Sequence, residues 1–329
     1  MAGKRFFIVS YKPSGELVCK GLKKNNIDYV PFIAETPKYL SYGPMQRYLE
    51  NIRGFFYNRK LKQALKQVRS SDVLLMIKGN HLYDSTKKLL SKADCRKLAM
   101  TLDSLDRAIV QKDICDFADA LILQDAGDIK KYPSKKSVHL PLGYDEDVFF
   151  PMEIEKDIDV CLVGNFYPGL YKNRLELIKT MGSDQRFAGK KIVVIGSSGS
   201  ASMNESLKNE FPNIDFLGKL NFREISKVLN RSKVAVNLHQ NDGIEPVNPW
   251  LFMIAGTKTC QVTDHRTYLE QYFQNGSEIL MAAVSEVPSV VLDLLSDTAR
   301  RDQIAENGYR RAVADHSSGS RARMIGAMA

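Results

Sequence analysis

The feature that most constrains this chain is an alternation, run through twice, of short β-prone apolar runs and amphipathic helical stretches. In the first half RFFIVSY, DYVPFI, DVLLMIKG, RKLAMTLD, ADALILQD and VHLPLG read as strands, with ELVCKGLKKNN, DSTKKLLSKA and DRAIVQKDICDFA as helices between them. Residues 36–54 are aromatic and irregular, and a strongly basic helix, FFYNRKLKQALKQVRS, follows. Strands separated by helices pair in parallel, because a helix-length crossover brings the chain back to run in the same direction. The segment 145–157 lacks periodicity and carries Pro151, which predicts a hinge.

The alternation then restarts. DVCLVGNF, KKIVVIGS, IDFLGKL, VAVNLH and CQVTDH read as strands, and LYKNRLELIKTM, SASMNESLKNEF, FREISKVLNRS, PWLFMIAGT, YLEQYF and SEVPSVVLDLL as helices, with a helical tail. The expected fold is α/β, with two Rossmann-like parallel-sheet domains facing across a cleft. The boundaries expected are 1–150, 151–312 and a C-terminal helix over 313–329 that returns toward the first domain. Sheets of this kind serve two-domain glycosyltransferases, periplasmic binding proteins and tandem nucleotide-binding enzymes alike.

Charge separates the halves. Residues 1–150 hold 26 Lys+Arg against 17 Asp+Glu, and the first 100 hold 20 against 7, whereas the remainder balances at 21 and 21. A one-sided basic field of this kind attracts an anionic partner. The basic helix with Arg59, Lys60, Lys62, Lys66 and Arg69 is the densest part of that field. The five cysteines are scattered without a CxxC pair, so neither a zinc site nor a disulfide framework is expected. The first apolar run reads as a β-strand rather than a signal peptide, and no stretch approaches the length of a membrane span. GxSxG, HExxH and Walker motifs are absent, which disfavours the hydrolase, zincin and P-loop classes.

In open parallel sheets, ligands sit beyond the carboxyl ends of the strands, so strand-end polar residues are the candidates. Gly164 and Asn165 follow one strand, and Arg174 lies in the next helix, where it is suited to pair with a phosphate. A Gly-Ser-rich loop at 196–200 and Lys219 after Gly218 are further phosphate-compatible positions. The stretch AVNLHQNDGIEPVNPWLFMIAG delivers Asn237 and His239 at a strand end and Glu245 in the loop, before a helix that starts near Asn248-Pro249. Asp264 ends the following strand. In the first half, Gly15, Lys78, His81 and Asp103 occupy strand ends.

The second half resembles the CgeB-like glycosyltransferases, relatives of the group-1 enzymes of GT-B fold. The resemblance is carried by Val163-Gly164, Arg174, Gly218, Asn237, the run Asn248-Pro249-Trp250-Leu251-Phe252-Met253, Thr263-Asp264, and Gly308-Tyr309-Arg310 leading to His316-Ser317. It spans roughly residues 158–320, and the first half is similar in outline only. Two departures stand out: Trp250 occupies the position of the family's arginine, and Met253 that of its ribose-binding glutamate. Methionine cannot accept the ribose hydrogen bonds. Glu245, eight positions before Met253, matches the first acidic residue of the E-x7-E arrangement in retaining enzymes.

The resemblance implies metal-independent, retaining transfer of a sugar from a nucleotide-diphosphate donor, a UDP-sugar foremost, with no separate cofactor. Glu245, Arg174 and His239 are then the catalytic candidates, and Gly164, Asn165, Lys219, Asn237, Asn248, Trp250, Met253 and Asp264 hold the donor. Gly15, Lys78, His81 and Asp103 face an anionic acceptor, either nucleic acid, a glycan or a lipid-linked molecule. The location implied is the cytoplasm or the periphery of a membrane. The alternative is a catalytically inactive binding protein of the same fold with a degenerate donor site, motivated by Trp250 and Met253.

Overall fold

The computed structural model describes residues 4–35, 44–79, 82–106, 108–239 and 247–329. The chain divides into two compact units: residues 1–142 with 318–329, and residues 143–317.

Unit 1 is built on six parallel strands, β1 (Phe6–Tyr11), β2 (Tyr29–Ala34), β3 (Val73–Ile77), β4 (Arg96–Met100), β5 (Ala120–Leu123) and β6 (Lys136–His139), in the order β2-β1-β3-β4-β5-β6. Helices α1 (Ser14–Lys24), α2 (Pro44–Ala64), α3 (Asp84–Ser91) and α4 (Lys112–Phe117) make the crossovers. Strands β3 and β5 are apolar throughout because both faces are covered. Pro31 is tolerated inside β2 because that strand lies at the sheet edge, where a missing N–H costs no ladder bond.

Unit 2 repeats the plan with β7 (Ile158–Val163), β8 (Ile192–Ile195), β9 (Ile214–Gly218), β10 (Ser232–Asn237), β11 (Cys260–Asp264) and β12 (Leu280–Ala282), ordered β12-β11-β10-β7-β8-β9. Its helices are α5 (Lys172–Ser183), α6 (Ala201–Glu210), α7 (Phe222–Arg231), α8 (Trp250–Gly256), α9 (Val287–Ser296) and α10 (Thr298–Arg311). Local signals explain several starts. Ser200 Oγ caps α6 through Met203 N, and Asn221 with Glu224 forms a capping box at α7.

The boundaries differ from those expected. The chain passes from unit 1 to unit 2 after Leu142, not after residue 150. Tyr144 N donates to His316 O at 3.1 Å, Phe149 is buried in the unit 2 core, and Met152 N donates to Asn230 Oδ1 at 2.7 Å. The aperiodic segment read as a hinge is therefore held along the second sheet's helices. The last helix, α11 (Ser318–Ala327), starts after a π-helical turn over Ala312–His316, not at 313. Its Ala322 and Ile325 enter the unit 1 core, and Asn25 Nδ2 ties it to α1 by donating to Gly319 O at 2.8 Å.

Two element readings also change. Helix α2 begins at Pro44, eleven residues before the predicted Phe55, because proline favours a first turn and the aromatic run continues helically. Strand β12 was not foreseen, since three apolar residues carry no period.

Candidate active site

The strand order of unit 2 reverses between β7 and β10, the position at which doubly wound sheets open a crevice at their carboxyl ends. Gly164 leaves β7 at φ 121°, with its N–H donating to Ile195 O at 2.9 Å. Neither Gly164 nor Gly196 has room for a side chain. A Cβ on Gly164 would lie 2.6 Å from Arg174 Nη1, and one on Gly196 (φ 139°) would lie 2.3 Å from Gly164 O.

Arg174 spans the reversal. Its Nε donates to Leu238 O at 2.8 Å, Nη2 donates to the same oxygen, and Nη1 donates to Asn165 O at 2.8 Å. The guanidinium stacks over the Tyr171 ring, 4.3 Å from its centroid. Burial pushes its pKa down to about 10, against the opposing pull of Tyr171 and Asp264. The arginine expected to pair with phosphate is thus committed to backbone carbonyls on both sides of the crevice.

On the β10 side, Asn237 closes the strand and His239 follows two residues later. Asn237 is fully buried; its Oδ1 accepts from Asn248 Nδ2 at 2.8 Å. Asp264, at the end of neighbouring β11, accepts at Oδ1 from His239 N (2.7 Å) and pairs with His239 Nδ1 (2.9 Å), while its Oδ2 accepts from Arg266 Nε at 2.8 Å. Burial alone would raise the pKa of this carboxyl, but the hydrogen bonds and charge of His239 and Arg266 win and hold it below the usual carboxylate range. Within this cluster Asn237 Nδ2 and His239 Nε2 are buried without a hydrogen-bond partner among the described residues, as are side-chain atoms elsewhere, such as both amide atoms of Gln261 and the Ser226 hydroxyl. Orphaned groups of this kind are costly and cluster where a ligand completes the set.

The remaining donor-side candidates fall around this cluster. Asn248 Oδ1 accepts from Trp250 N at 3.1 Å, so the N–H expected to face a diphosphate is capped, and α8 is only seven residues long. Trp250 meets Phe149 and Phe222 edge-on, with centroids 6.4 and 6.3 Å away, and Met253 packs against the same core. Lys219 is exposed after β9, two strands from the reversal. Glu245 lies outside the described residues. Arg266, which fixes the Asp264 carboxylate, was missed; its position two residues after a strand-end aspartate was the available signal.

In unit 1 the order reverses between β1 and β3. Gly15 opens α1 beside Ser10, and Lys78 follows β3 in the left-handed region at φ 69°. Lys78 Nζ lies 3.5 Å from Asp103 Oδ2, so two of the acceptor-side candidates meet. Strained backbone at a strand end is a recurrent mark of functional sites. His81 lies outside the described residues. All five cysteines are buried, and burial pushes Cys19, Cys115, Cys161 and Cys260 up to about 12, which removes them as nucleophiles at neutral pH. Among the described residues no group of three His, Cys, Asp or Glu is placed to hold a metal, and no helix is long and apolar enough to cross a membrane.

Residues 174–327 match a family described as glycosyl transferase-like. No curated protein matches the sequence. Among solved structures, sucrose-phosphate synthase from Thermosynechococcus elongatus is 13% identical with a TM-score of 0.68, covering 99% of this chain and 98% of that one. HepE from Anabaena, in complex with UDP and glucose, is 12% identical at TM-score 0.65 over 99% and 98% of the two chains. The pneumococcal O-GlcNAc transferase GtfA, in complex with UDP and GlcNAc, is 10% identical at TM-score 0.59, covering 83% of this chain and 59% of that one. The fold is thus the α/β, two-sheet GT-B type.

Proposed function

We propose that this protein is a glycosyltransferase that takes its sugar from a nucleotide-diphosphate donor, with UDP-sugars foremost. The observation that carries the proposal is a coincidence of place: at the β10 end of the strand-order reversal, inside the segment that matches a glycosyl transferase-like family, Asn237 Nδ2 and His239 Nε2 are buried without a hydrogen-bond partner among the described residues. The solved complexes of HepE and GtfA with UDP support the donor class.

The chemical burden in such a transfer is the negative charge that grows on the departing diphosphate. Asn237 Nδ2 offers an N–H to that charge. His239 is turned by Asp264, whose carboxylate accepts a hydrogen bond from Nδ1–H and leaves Nε2 aimed away from it. When the imidazole is protonated, Nε2–H donates to a diphosphate oxygen. Arg174 acts as a positioning residue, clamping the β7 and β10 ends at the spacing the donor needs. Glu245 is assigned the carboxylate partner of the sugar, transfer is assigned retention, and no metal takes part. Lys78 and Asp103 are assigned to the acceptor, for which the basic first half favours an anionic molecule.

Trp250 is the chain's single tryptophan and stands at the start of α8, which makes it an internal reporter. Titration with UDP and UDP-sugars should change its fluorescence saturably, and turnover of a UDP-sugar should follow when acceptors are pooled. A specific observation favours the second reading, a binding protein without turnover: Met253, partly buried, packs against an apolar core where the resembling family has a ribose-binding glutamate. UDP binding without turnover on any acceptor decides for that reading, and neither binding nor turnover refutes both.

A further inference from the structure

Helix α2 carries two properties that the donor chemistry does not use. Between Glu50 and Asp72 the chain holds six basic residues, Arg53, Arg59, Lys60, Lys62, Lys66 and Arg69, and no acidic one. Asp72, the next carboxylate along the chain, is buried and bonded to Arg5, so it does not offset that charge at the surface. In the same helix Phe55 and Phe56, adjacent in sequence, are 57% and 51% exposed.

The helix is firmly seated by its other side. Leu61 is fully buried, and the Tyr57 ring stacks on Tyr11 with centroids 5.3 Å apart. The outward face follows from helical spacing: Phe55, Arg59, Lys62 and Lys66 form one row, and Phe56 and Lys60 the next. Each phenylalanine therefore heads a basic row, and the two rings touch edge-to-face with centroids 5.7 Å apart.

We infer that this face of α2 docks on an anionic phospholipid surface, with Phe55 and Phe56 entering the interface and the basic rows on the headgroups. Cationic side chains beside exposed aromatics on one helix face are the pattern of interfacial helices. A single-stranded nucleic acid also pairs basic and aromatic residues, but it uses flat ring faces along a groove. Here the rings pack against each other on a convex helix, which suits insertion into a soft interface rather than stacking on bases. The inference stands apart from the donor site, and its test needs no turnover.

The test is co-sedimentation of the full chain with phosphatidylcholine vesicles with and without phosphatidylglycerol. Binding should be at least about tenfold tighter with phosphatidylglycerol and should weaken as salt rises. The double variant Phe55→Ser, Phe56→Ser should lose about tenfold or more of that binding. Both side chains are largely exposed, so the fold should survive, as circular dichroism will show. As an independent readout, Phe56→Trp should give a blue shift of emission on phosphatidylglycerol vesicles. Vesicle binding that is unchanged in the double variant, or a Phe56→Trp emission that does not move, overturns the inference. So does equally tight, phenylalanine-dependent binding to a single-stranded oligonucleotide, which assigns the face to nucleic acid.

Discussion

Asp264 Oδ1 receives both the main-chain N–H of His239, at 2.7 Å, and its ring Nδ1, at 2.9 Å. One carboxylate oxygen thus fixes the end of β10 and the direction of the imidazole together. Arg266, partly exposed, holds the other oxygen, so the buried pair sits in a network rather than a loose contact.

Asp264→Asn should therefore cost about 3 kcal/mol, the range for breaking one member of a buried ionic network. The folded protein depresses the pKa of this carboxyl, so its contribution is complete above the usual carboxylate range and is lost as the pH falls below it. Denaturant unfolding at neutral and acidic pH checks this: the gap between wild type and variant should narrow only in strong acid. On the proposed reaction, His239→Gln should lower kcat about a hundredfold, beyond the stability loss of the same order that removing the other member of this pair brings.

Gly164→Ala and Gly196→Ala should each cost about 2 kcal/mol, because both positions lie at positive φ and both lack room for a methyl group. Of the two, Gly196→Ala strikes main-chain atoms that cannot move aside, so its thermal midpoint should fall further.

Arg174→Lys keeps a charge but has one nitrogen in place of three donors. It cannot serve Leu238 O and Asn165 O together as the guanidinium does. A loss of about 2 kcal/mol is expected. Weakened UDP binding should accompany it if the arginine sets the spacing of the crevice, and full UDP affinity in a folded variant would remove that role.

Burial lowers the pKa of Lys156 from 10.5 to about 8 against the opposing pull of Asp302, its ammonium donating to Ser232 O at 2.9 Å and Asn230 O at 3.3 Å. Between these pH values the unfolded chain keeps a proton that the folded chain has released. Stability should then rise with pH across that window, by about 2 kcal/mol after allowance for partial solvent screening. Lys156→Met should abolish this slope in urea titrations from neutral to alkaline pH.

Met253→Glu restores the carboxylate that the resembling family uses for ribose. UDP affinity should rise about tenfold if the family's ribose pocket is otherwise kept. A folded variant without any gain in UDP affinity would show that this position does not face a ribose.

Much of the site was legible because strand ends announce themselves. Asn237, His239 and Asp264 each close an apolar run with a polar residue, and parallel sheets gather such ends on one side. What could not be seen was their pairing. His239 and Asp264 are 25 residues apart, and whether their strands are neighbours depends on sheet order. Arg174 shows the limit from the other side: its place in the first turn of a helix suggested a phosphate ligand, yet burial turned it onto Leu238 O, 64 residues away.

The sequence alone determined that the chain alternates strand and helix in two runs, because apolar periodicity encodes each element and the face it buries. It also determined which half is basic. Tertiary structure decided the order of strands, and with it the reversal between β7 and β10 where the polar ends converge. It also decided that residues 143–157 belong to unit 2 and that 318–329 complete the core of unit 1. Those outcomes depend on which distant surfaces exclude water together, and local pattern carries no record of that choice.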